Sequence, residues 1–296
     1  MIRQEKFLIF AEGEQKKFLL DVKSKLGVTW KTIICHSHVS KAMFYNYLKE
    51  KNILNERVFN LLAQYANLEK SQYSFKTTLK QQNDAEIPTG NKEAFAEFIG
   101  ILLGDGHLSK FKFQIVITLN SALESAYLND KVKPLLSTLF NLEPKIRTFK
   151  GKKAVQIYFA SKKVFNFLNQ QMGVPSKRRI NNPSNKIPLS FFQNKKLLQA
   201  CLRGLFDTEG SLSIRHHRAI RLSIYKNSDY LLSSIAKALA DLGYTPIKKH
   251  KSVRLNRTSE ILKFFKEIGS NNPYKLKRYL AWHATGKLPN VNTAVL

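Results

Sequence analysis

Two acidic residues stand at equivalent places in two similar segments of the sequence. Residues 98–106 read FIGILLGDG and residues 202–210 read LRGLFDTEG, so Asp105 and Glu209 each follow an apolar run and precede a glycine. A carboxylate at the carboxyl end of a helix meets the negative end of the helix dipole, so its repetition at this place suggests a function. If the two segments pack together, the carboxylates repel each other unless a cation lies between them. Oxygen ligands favour a hard ion such as Mg²⁺, and paired divalent ions can promote phosphodiester hydrolysis.

The spacing of small residues indicates how the two segments could meet. Gly100 and Gly104 are four residues apart, as are Gly204 and Thr208, and residues at this spacing share one face of a helix. Small side chains on that face let two helix backbones approach closely. We therefore expect the helices to pack through these positions about a pseudo-twofold axis, with the two acids side by side.

The acids belong to an internal duplication that begins near residue 92. The periods of the apolar residues predict the same elements in both copies, in the order helix, two strands, helix, two strands and helix. Both copies also end with a lysine two residues after a proline, Lys177 in the first copy and Lys275 in the second. We take residues 92–190 as the first repeat and residues 191–296 as the second.

Residues 1–68 predict a separate, all-helical module. Four segments have the helical period, and Thr29, Ser40 and Asn55 are suited to cap the second, third and fourth helices. The tight connection between the second and third helices is typical of a helix-turn-helix, whose later helix enters the major groove of DNA. A helical bundle used for packing or dimerisation has the same outline. Residues 69–91 are polar, contain a Pro and a Gly near their end, and predict a linker.

The two acidic segments resemble the two copies of the LAGLIDADG motif, and the chain resembles a single-chain LAGLIDADG homing endonuclease over about residues 92–285. The resemblance implies an α+β fold of two α-β-β-α-β-β-α repeats, whose motif helices pack together and whose two curved antiparallel sheets straddle the major groove. It also implies that Asp105 and Glu209 bind divalent metal and that each cuts one DNA strand, which leaves staggered ends. Asp207 matches an earlier acidic position of the motif that is not a metal ligand, so we expect it to support the end of the helix.

The resemblance implies further residues at the metal site. The family carries basic residues around the metal that polarise water or stabilise developing negative charge, and Lys177 and Lys275 are the catalytic candidates here, with phosphate binding as the alternative. Gly104 and Thr208, directly before the two acids, are assigned to the metal site with them. The expected cofactor is Mg²⁺, for which Mn²⁺ can substitute.

Alternating side chains on the predicted strands would read the DNA sequence, with residues 110–119 taken as one strand. Arg and Gln can bond to the edges of guanine and adenine, whereas Lys more often meets phosphate. The predicted DNA contacts in the repeats are Lys110, Lys112, Gln114, Arg215, Arg218, Arg221, Tyr225, Lys248, Lys249 and Arg254. In the amino-terminal module the predicted contacts are Ser40, Lys41 and Tyr45, at the helix expected to enter the groove.

The composition favours a polyanionic partner. The chain has 49 Lys and Arg against 21 Asp and Glu, a net charge of +28, and most of this excess follows residue 86. Such an excess destabilises a fold through self-repulsion unless a polyanion neutralises it. We expect double-stranded DNA as the partner, with RNA as an alternative. The charges are spread over the whole chain, which disfavours a membrane surface.

The favoured function is a site-specific homing endonuclease that makes a staggered double-strand break in DNA, as a monomer acting as a pseudo-dimer. Two alternatives have the same fold: an RNA maturase that helps an intron to fold, and a transcription regulator that binds DNA without cutting. The presence of both acids disfavours the regulator. Two cysteines are too few for a disulfide framework, and the sequence shows neither a signal peptide nor an apolar run of membrane-spanning length. We expect an intracellular protein of the cytoplasm, associated with the nucleoid in a prokaryote, or of an organelle matrix.

Overall fold

The computed structural model describes residues 6–79, 85–176, 180–215 and 219–290. The chain divides into an amino-terminal unit, residues 1–82, and a carboxy-terminal unit, residues 83–296. Helices combine with antiparallel sheets in both units, so the fold is α+β, as predicted. Within the described ranges, no helix is both long enough and apolar enough to cross a membrane.

In the amino-terminal unit, the helices form where the apolar period and the capping residues predict them. Thr29, Ser40 and Asn55 each accept a hydrogen bond from a backbone N–H of the following turn, which confirms the three predicted caps. The elements of this unit are β1 (Lys6–Phe10), α1 (Glu14–Leu26), α2 (Trp30–Ser37), α3 (Lys41–Leu48), β2 (Leu54–Asn55), α4 (Glu56–Tyr65), a 3₁₀ turn (Lys70–Gln72) and β3 (Phe75–Leu79).

A three-stranded antiparallel sheet in this unit corrects the prediction of an all-helical module. β1 pairs with β2 on one side and with β3 on the other. β3 lies within residues 69–91, which corrects the prediction of a linker throughout that range. Its polar composition, with Lys76 exposed, is that of an edge strand covered on one face only. The ring of Phe75 packs on those of Phe10 and Phe59, so the strand is held by partners distant in sequence.

The first half of the carboxy-terminal unit has the predicted order of elements. These are α5 (Lys92–Gly104), β4 (Gly106–Ser109), β5 (Gln114–Leu119), α6 (Ser125–Tyr127), a π-helical turn (Leu128–Val132), α7 (Lys133–Phe140), β6 (Lys145–Thr148), β7 (Val155–Ala160), α8 (Lys162–Asn166) and a second π-helical turn (Phe167–Gln171). The four strands form one antiparallel sheet with the order β4-β5-β7-β6.

The second half repeats this order and confirms the predicted duplication. After a 3₁₀ turn (Leu189–Gln193), its elements are α9 (Lys195–Glu209), β8 (Gly210–Ile214), β9 (Ile220–Tyr225), α10 (Asp229–Asp241), β10 (Ile247–Lys249), β11 (Ser252–Leu255), α11 (Thr258–Glu267) and α12 (Pro273–Thr285). The strand order β8-β9-β11-β10 matches that of the first sheet. α12 was not predicted, although Asn272 caps it and Pro273 occupies its first position, a common signal for the start of a helix.

A turn between β4 and β5 corrects the prediction of one strand over residues 110–119. Ser109 pairs with Gln114, so the residues between them, including Lys110 and Lys112, form the tip of a hairpin. Phe113 has a φ of 48°, a left-handed conformation that reverses the chain and that the apolar pattern does not reveal. Gln114 begins β5, as the strand prediction requires.

The core of the carboxy-terminal unit surrounds the two central helices α5 and α9. Phe98, Leu102, Leu202 and Phe206 on these helices are fully buried, together with apolar residues from both sheets. Burial of each such side chain contributes about 1.5–3 kcal/mol. The paired helices that carry the predicted acids therefore form a rigid support for them.

Candidate functional site

Glycines let the backbones of α5 and α9 touch. A Cβ atom added to Gly100 would lie 2.1 Å from the carbonyl oxygen of Cys201, and one added to Gly204 would lie 2.2 Å from that of Glu97. Distances this short exclude every larger residue unless the helices separate. The two contacts are reciprocal, with a glycine of each helix against a carbonyl of the other, which confirms packing through the predicted small residues.

The same approach continues to the ends of the helices and brings the two acids together. A Cβ atom added to Gly104 would lie 2.0 Å from Thr208 Oγ1 and 3.4 Å from Glu209 Cγ. Asp105 and Glu209 end their helices there, and both line one cavity of about 760 Å³. The structure thus confirms the prediction that the two acids, one from each repeat, lie close together.

Asp105 and Glu209 differ in their electrostatic surroundings. The pKa of Asp105 is raised to about 7, mainly by burial and further by the nearby charges of Glu209 and Glu124. The lysines around it lower the pKa by less. Glu209 is instead neutralised by a direct ion pair with Lys226. In the absence of another cation, Asp105 therefore stays protonated up to about pH 7, whereas Glu209 has Lys226 as its counter-ion.

Lys226, which the sequence analysis missed, joins the two repeats at this site. It directly follows β9, and its Nζ donates to Glu209 Oε1 and, over 2.7 Å, to the carbonyl oxygen of Gly104. The pairing registers, Gly106 with Ile117 and Gly210 with Ile224, make Leu119 its counterpart in the first repeat. The sequence signal was a lysine directly after the second strand of the repeat, but its partner could not be deduced without the sheet register.

Lys275 is buried against the end of α9, on the first turn of α12. Its Nζ donates to the carbonyl oxygens of Phe206 and Thr208 over 2.7 and 2.9 Å, and burial lowers its pKa. The carbonyl oxygen of Phe206 also accepts the backbone N–H of Gly210. The ammonium group of Lys275 thus adds a positive charge and further donors at the helix end that carries Glu209. Lys177 lies outside the described residues. Pro175 and Ser176 before it line the cavity with the two acids.

Asp207 has the supporting position that we expected. Its Oδ1 accepts a hydrogen bond from Ser270 Oγ at 2.5 Å, and its Oδ2 accepts one from the backbone N–H of Asn271 at 2.9 Å. Burial raises the pKa of Asp207 to about 6, against the opposing effect of these hydrogen bonds. The carboxyl group thus fixes the turn before α12, and it is fully buried.

A buried ionic network ties the two central helices together. Glu97, only 2% exposed, forms ion pairs with Arg203 at 3.1 Å and Lys131 at 3.2 Å and accepts a hydrogen bond from Asn271 Nδ2 at 2.8 Å. Glu97 lies on α5 and Arg203 on α9, so their ion pair links the two helices directly. The sequence alone did not reveal this network because its members come from four separate segments.

The oxygen atoms at the junction of the repeats fit a hard divalent cation. Asp105 and Glu209 supply carboxylates, and the carbonyl oxygen of Gly104 lies beside Glu209, since Lys226 donates to both. The carbonyl oxygen of Thr208 accepts a hydrogen bond from the buried Lys275 instead. In the part of the chain that the structure describes, no cluster of three or more His, Cys, Asp and Glu residues has the arrangement of a metal site. The donor set is thus two carboxylates assisted by the backbone oxygen of Gly104.

The predicted contacts on the second sheet divide between its two faces. The registers place Arg221, Tyr225, Lys249 and Arg254 on the polar face, whereas Lys248 lies on the face of α10 and pairs with Asp229 at 2.7 Å. Arg215 is exposed directly after β8, and Arg218 lies outside the described residues.

The first sheet carries a polar ladder that the sequence analysis missed. Arg147 Nε donates to Gln156 Oε1 over 2.7 Å, and Gln156 Nε2 donates to Thr118 Oγ1 over 2.9 Å. The guanidinium of Arg147 also lies 4.9 Å from the centre of the Tyr158 ring. These residues lie opposite one another on β5, β6 and β7, so only the register could bring them together.

The residues predicted to contact DNA in the amino-terminal unit lie at the start of α3. Lys41 is exposed, and Tyr45 is half-buried. The hydroxyl of Ser40 accepts the backbone N–H of Met43, so this side chain serves as a helix cap. Their contact with DNA stays a prediction.

The chain is similar to a known domain family and to several solved structures. Residues 196–269 match the family model of the LAGLIDADG-like domain. No curated protein matches the sequence. Among solved structures, the chain is similar to I-DmoI in complex with DNA and Mn, with 19% identity, a TM-score of 0.44, and coverage of 60% of this chain and 97% of that one. It is similar to full-length DUF199/WhiA from Thermatoga maritima, with 22% identity, a TM-score of 0.44, and coverage of 71% and 66% respectively.

Proposed function

We propose that the protein is a site-specific endonuclease that hydrolyses one phosphodiester bond in each strand of double-stranded DNA. The match of residues 196–269 to the LAGLIDADG-like domain is the premise of this proposal. The observation that carries the proposal is the reciprocal contact of Gly100 and Gly204, because it places Asp105 and Glu209 in one cavity. One acid comes from each repeat, as two strand cleavages require.

Asp105 and Glu209 would hold Mg²⁺, or Mn²⁺ in its place, with help from the carbonyl oxygen of Gly104. When bound, the divalent ion would supply Lewis acidity that favours attack of water on phosphorus and departure of the leaving oxygen. The shared cavity supports this assignment, since a cation between Asp105 and Glu209 would offset the repulsion of their two negative charges.

The lysines around the acids have different proposed roles. Lys275 acts as a positioning residue, because its ammonium holds the carbonyl oxygens of Phe206 and Thr208 and thereby fixes the end of α9. Lys226 lies in the cavity beside Glu209 and could reach a phosphate there. Lys177 is the candidate from the first repeat that corresponds in sequence to Lys275.

The polar faces of the two sheets form the proposed DNA-binding surface. On the second sheet, Arg221, Tyr225 and Arg254 share this face, and on the first sheet Arg147 and Gln156 form the polar ladder. Hydrogen bonds within the ladder restrict the rotamers of these side chains, which reduces the entropy lost when they bind bases. The net charge of +28 supplies the attraction to phosphate.

The amino-terminal unit would add DNA contacts outside the cleavage site. α2 and α3 are separated by a short connection, and α3 carries the exposed Lys41 at its start. This arrangement supports a helix-turn-helix function, in which α3 enters the major groove. The protein would then act as a monomeric pseudo-dimer with an additional DNA-binding module.

The proposal is tested by incubation of the full-length protein with a randomised double-stranded DNA library and Mg²⁺, followed by sequencing of the cut ends. Wild type is expected to produce staggered ends at a defined site. Glu209→Gln should still bind DNA but cut at least about 100-fold more slowly, because it loses several kcal/mol of metal-dependent transition-state stabilisation. Glu143→Gln is the matched control, since Glu143 is 72% exposed and forms a surface ion pair with Lys133.

Two outcomes would replace the proposal by another function. If wild type binds double-stranded DNA but does not cut it with Mg²⁺ or Mn²⁺, a transcription regulator becomes the better assignment. If it instead prefers structured RNA and promotes intron folding, the protein is a maturase.

A further inference from the structure

Lys226 places a positive charge where the two repeats meet. Its Nζ is bonded to Glu209 Oε1 from the second repeat and to the carbonyl oxygen of Gly104 from the first. The side chains of Lys226 and Glu209 are only 19% and 20% exposed, so water screens this ion pair less than one at the surface. The ammonium group thus bridges the ends of the two motif helices.

The oxygens that hold Lys226 are also those assigned above to the divalent ion. A Mg²⁺ or Mn²⁺ ion requires its oxygen ligands at about 2.0–2.2 Å, which leaves no room for an ammonium group on the same oxygen atoms. The ion and the ammonium also repel each other at this separation. Either cation can occupy Glu209 Oε1 and the carbonyl oxygen of Gly104, but both cannot bind these two atoms together.

We propose that Lys226 is a tethered cation that occupies the divalent-ion site of the free protein and leaves it when the ion binds. This inference rests on the proposed metal site. In the metal-free protein, Lys226 neutralises Glu209 and keeps the ends of the two helices together. When the ion enters, the displaced ammonium remains in the same cavity, where a DNA phosphate is the natural new partner.

Lys226 has no lysine as its counterpart in the first repeat. The sheet registers place Leu119 at the position of Lys226 in the first repeat, so that repeat offers Asp105 no equivalent lysine from the same place. The competition therefore acts on the Glu209 side of the site. This asymmetry distinguishes a tethered cation from a basic residue that is simply part of each half of the site.

The test measures Mn²⁺ binding to the full-length protein without DNA, by the electron paramagnetic resonance signal of free Mn²⁺. Lys226→Met should bind Mn²⁺ about tenfold more tightly than wild type, since the ion no longer displaces a partly buried ion pair. Lys251→Met is the matched control, because Lys251 lines the same cavity but is exposed. Its Mn²⁺ affinity should change by less than about threefold, as expected for a screened charge.

A second measurement on wild type covers the case in which Lys226→Met does not fold. Acetylation of lysines with a small reagent, followed by mass spectrometry, should modify Lys226 several-fold faster with saturating Mn²⁺ than without it. Acetylation of Lys251 should be unchanged and serves as the internal reference. If Lys226 is acetylated at the same rate with and without Mn²⁺, the proposal is wrong.

Failure of this inference can be told from failure of the proposed metal site. If Glu209→Gln abolishes Mn²⁺ binding but Lys226→Met binds no more tightly than wild type, the metal site stands and the tethered cation is wrong. If Glu209→Gln binds Mn²⁺ as wild type does, the metal site itself is wrong, and the inference fails with it. If Lys226→Met and Lys251→Met both bind Mn²⁺ more tightly by the same factor, the gain comes from the loss of any positive charge near the cavity. That result would also refute the inference.

Discussion

Gly100→Ala should separate the two central helices and destabilise the carboxy-terminal unit. The added Cβ would lie 2.1 Å from the carbonyl oxygen and 2.9 Å from the carbonyl carbon of Cys201. Ordinary contacts of this kind are near 3.5 Å, so the added Cβ and the carbonyl oxygen have to separate by about 1.4 Å. Both contacting atoms belong to the backbone, and no side-chain rotamer can relieve the clash.

The expected loss follows from two opposing terms. Overpacking costs about 3 kcal/mol, at the upper end of the usual range, because the neighbour is rigid. Alanine recovers about 1 kcal/mol through its better helix propensity. The net destabilisation of about 2 kcal/mol corresponds to a fall in Tm of about 4–8 °C for a unit of this size. Gly204→Ala should behave alike, because its Cβ would lie 2.2 Å from the carbonyl oxygen of Glu97.

Scanning calorimetry of the full-length protein measures this effect. Gly90→Ala is the control, since nothing lies within 4 Å of a Cβ at Gly90 and its backbone is not left-handed. Mn²⁺ binding should also weaken in Gly100→Ala, because the shift moves Asp105 away from Glu209. A Tm within 1 °C of wild type, or an equal loss in Gly90→Ala, would show that close helix contact does not hold this site together.

Two further predictions concern the buried acids. The pKa of Asp105 is raised to about 7, so the folded state retains a proton that the unfolded state loses near pH 4. Stability without metal should therefore fall as pH rises from about 4 to 7, and Asp105→Asn should remove much of this loss in urea unfolding at pH 5.5 and 7.5. Asp207→Ala should lower the free energy of unfolding by about 3 kcal/mol, because the buried donors of Ser270 and Asn271 lose their acceptor. Its control, Asp241→Ala, removes an exposed helical ion pair and should cost less than about 0.5 kcal/mol by the same measurement.

The sequence by itself determined the features that depend on neighbours along the chain. Thr29, Ser40 and Asn55 were predicted as caps, and the structure confirms them, because a cap bonds within its own first turn. The duplication and the meeting of Asp105 with Glu209 were also predictable. Each repeat encodes the same elements, and the small residues four apart mark the face through which the helices pack.

Only the tertiary structure decided the features that depend on register or on distant partners. β3 looked like a linker because its edge-strand composition is polar, and only its pairing with β1 makes it a strand. Lys226 reaches Gly104 of the other repeat, and Arg147 reaches Gln156 across a strand pair. A shift of one residue in a strand reverses every side chain on it, so patterns along the chain cannot assign such contacts. The charges that surround Glu209 were therefore fixed by the packing of the two repeats.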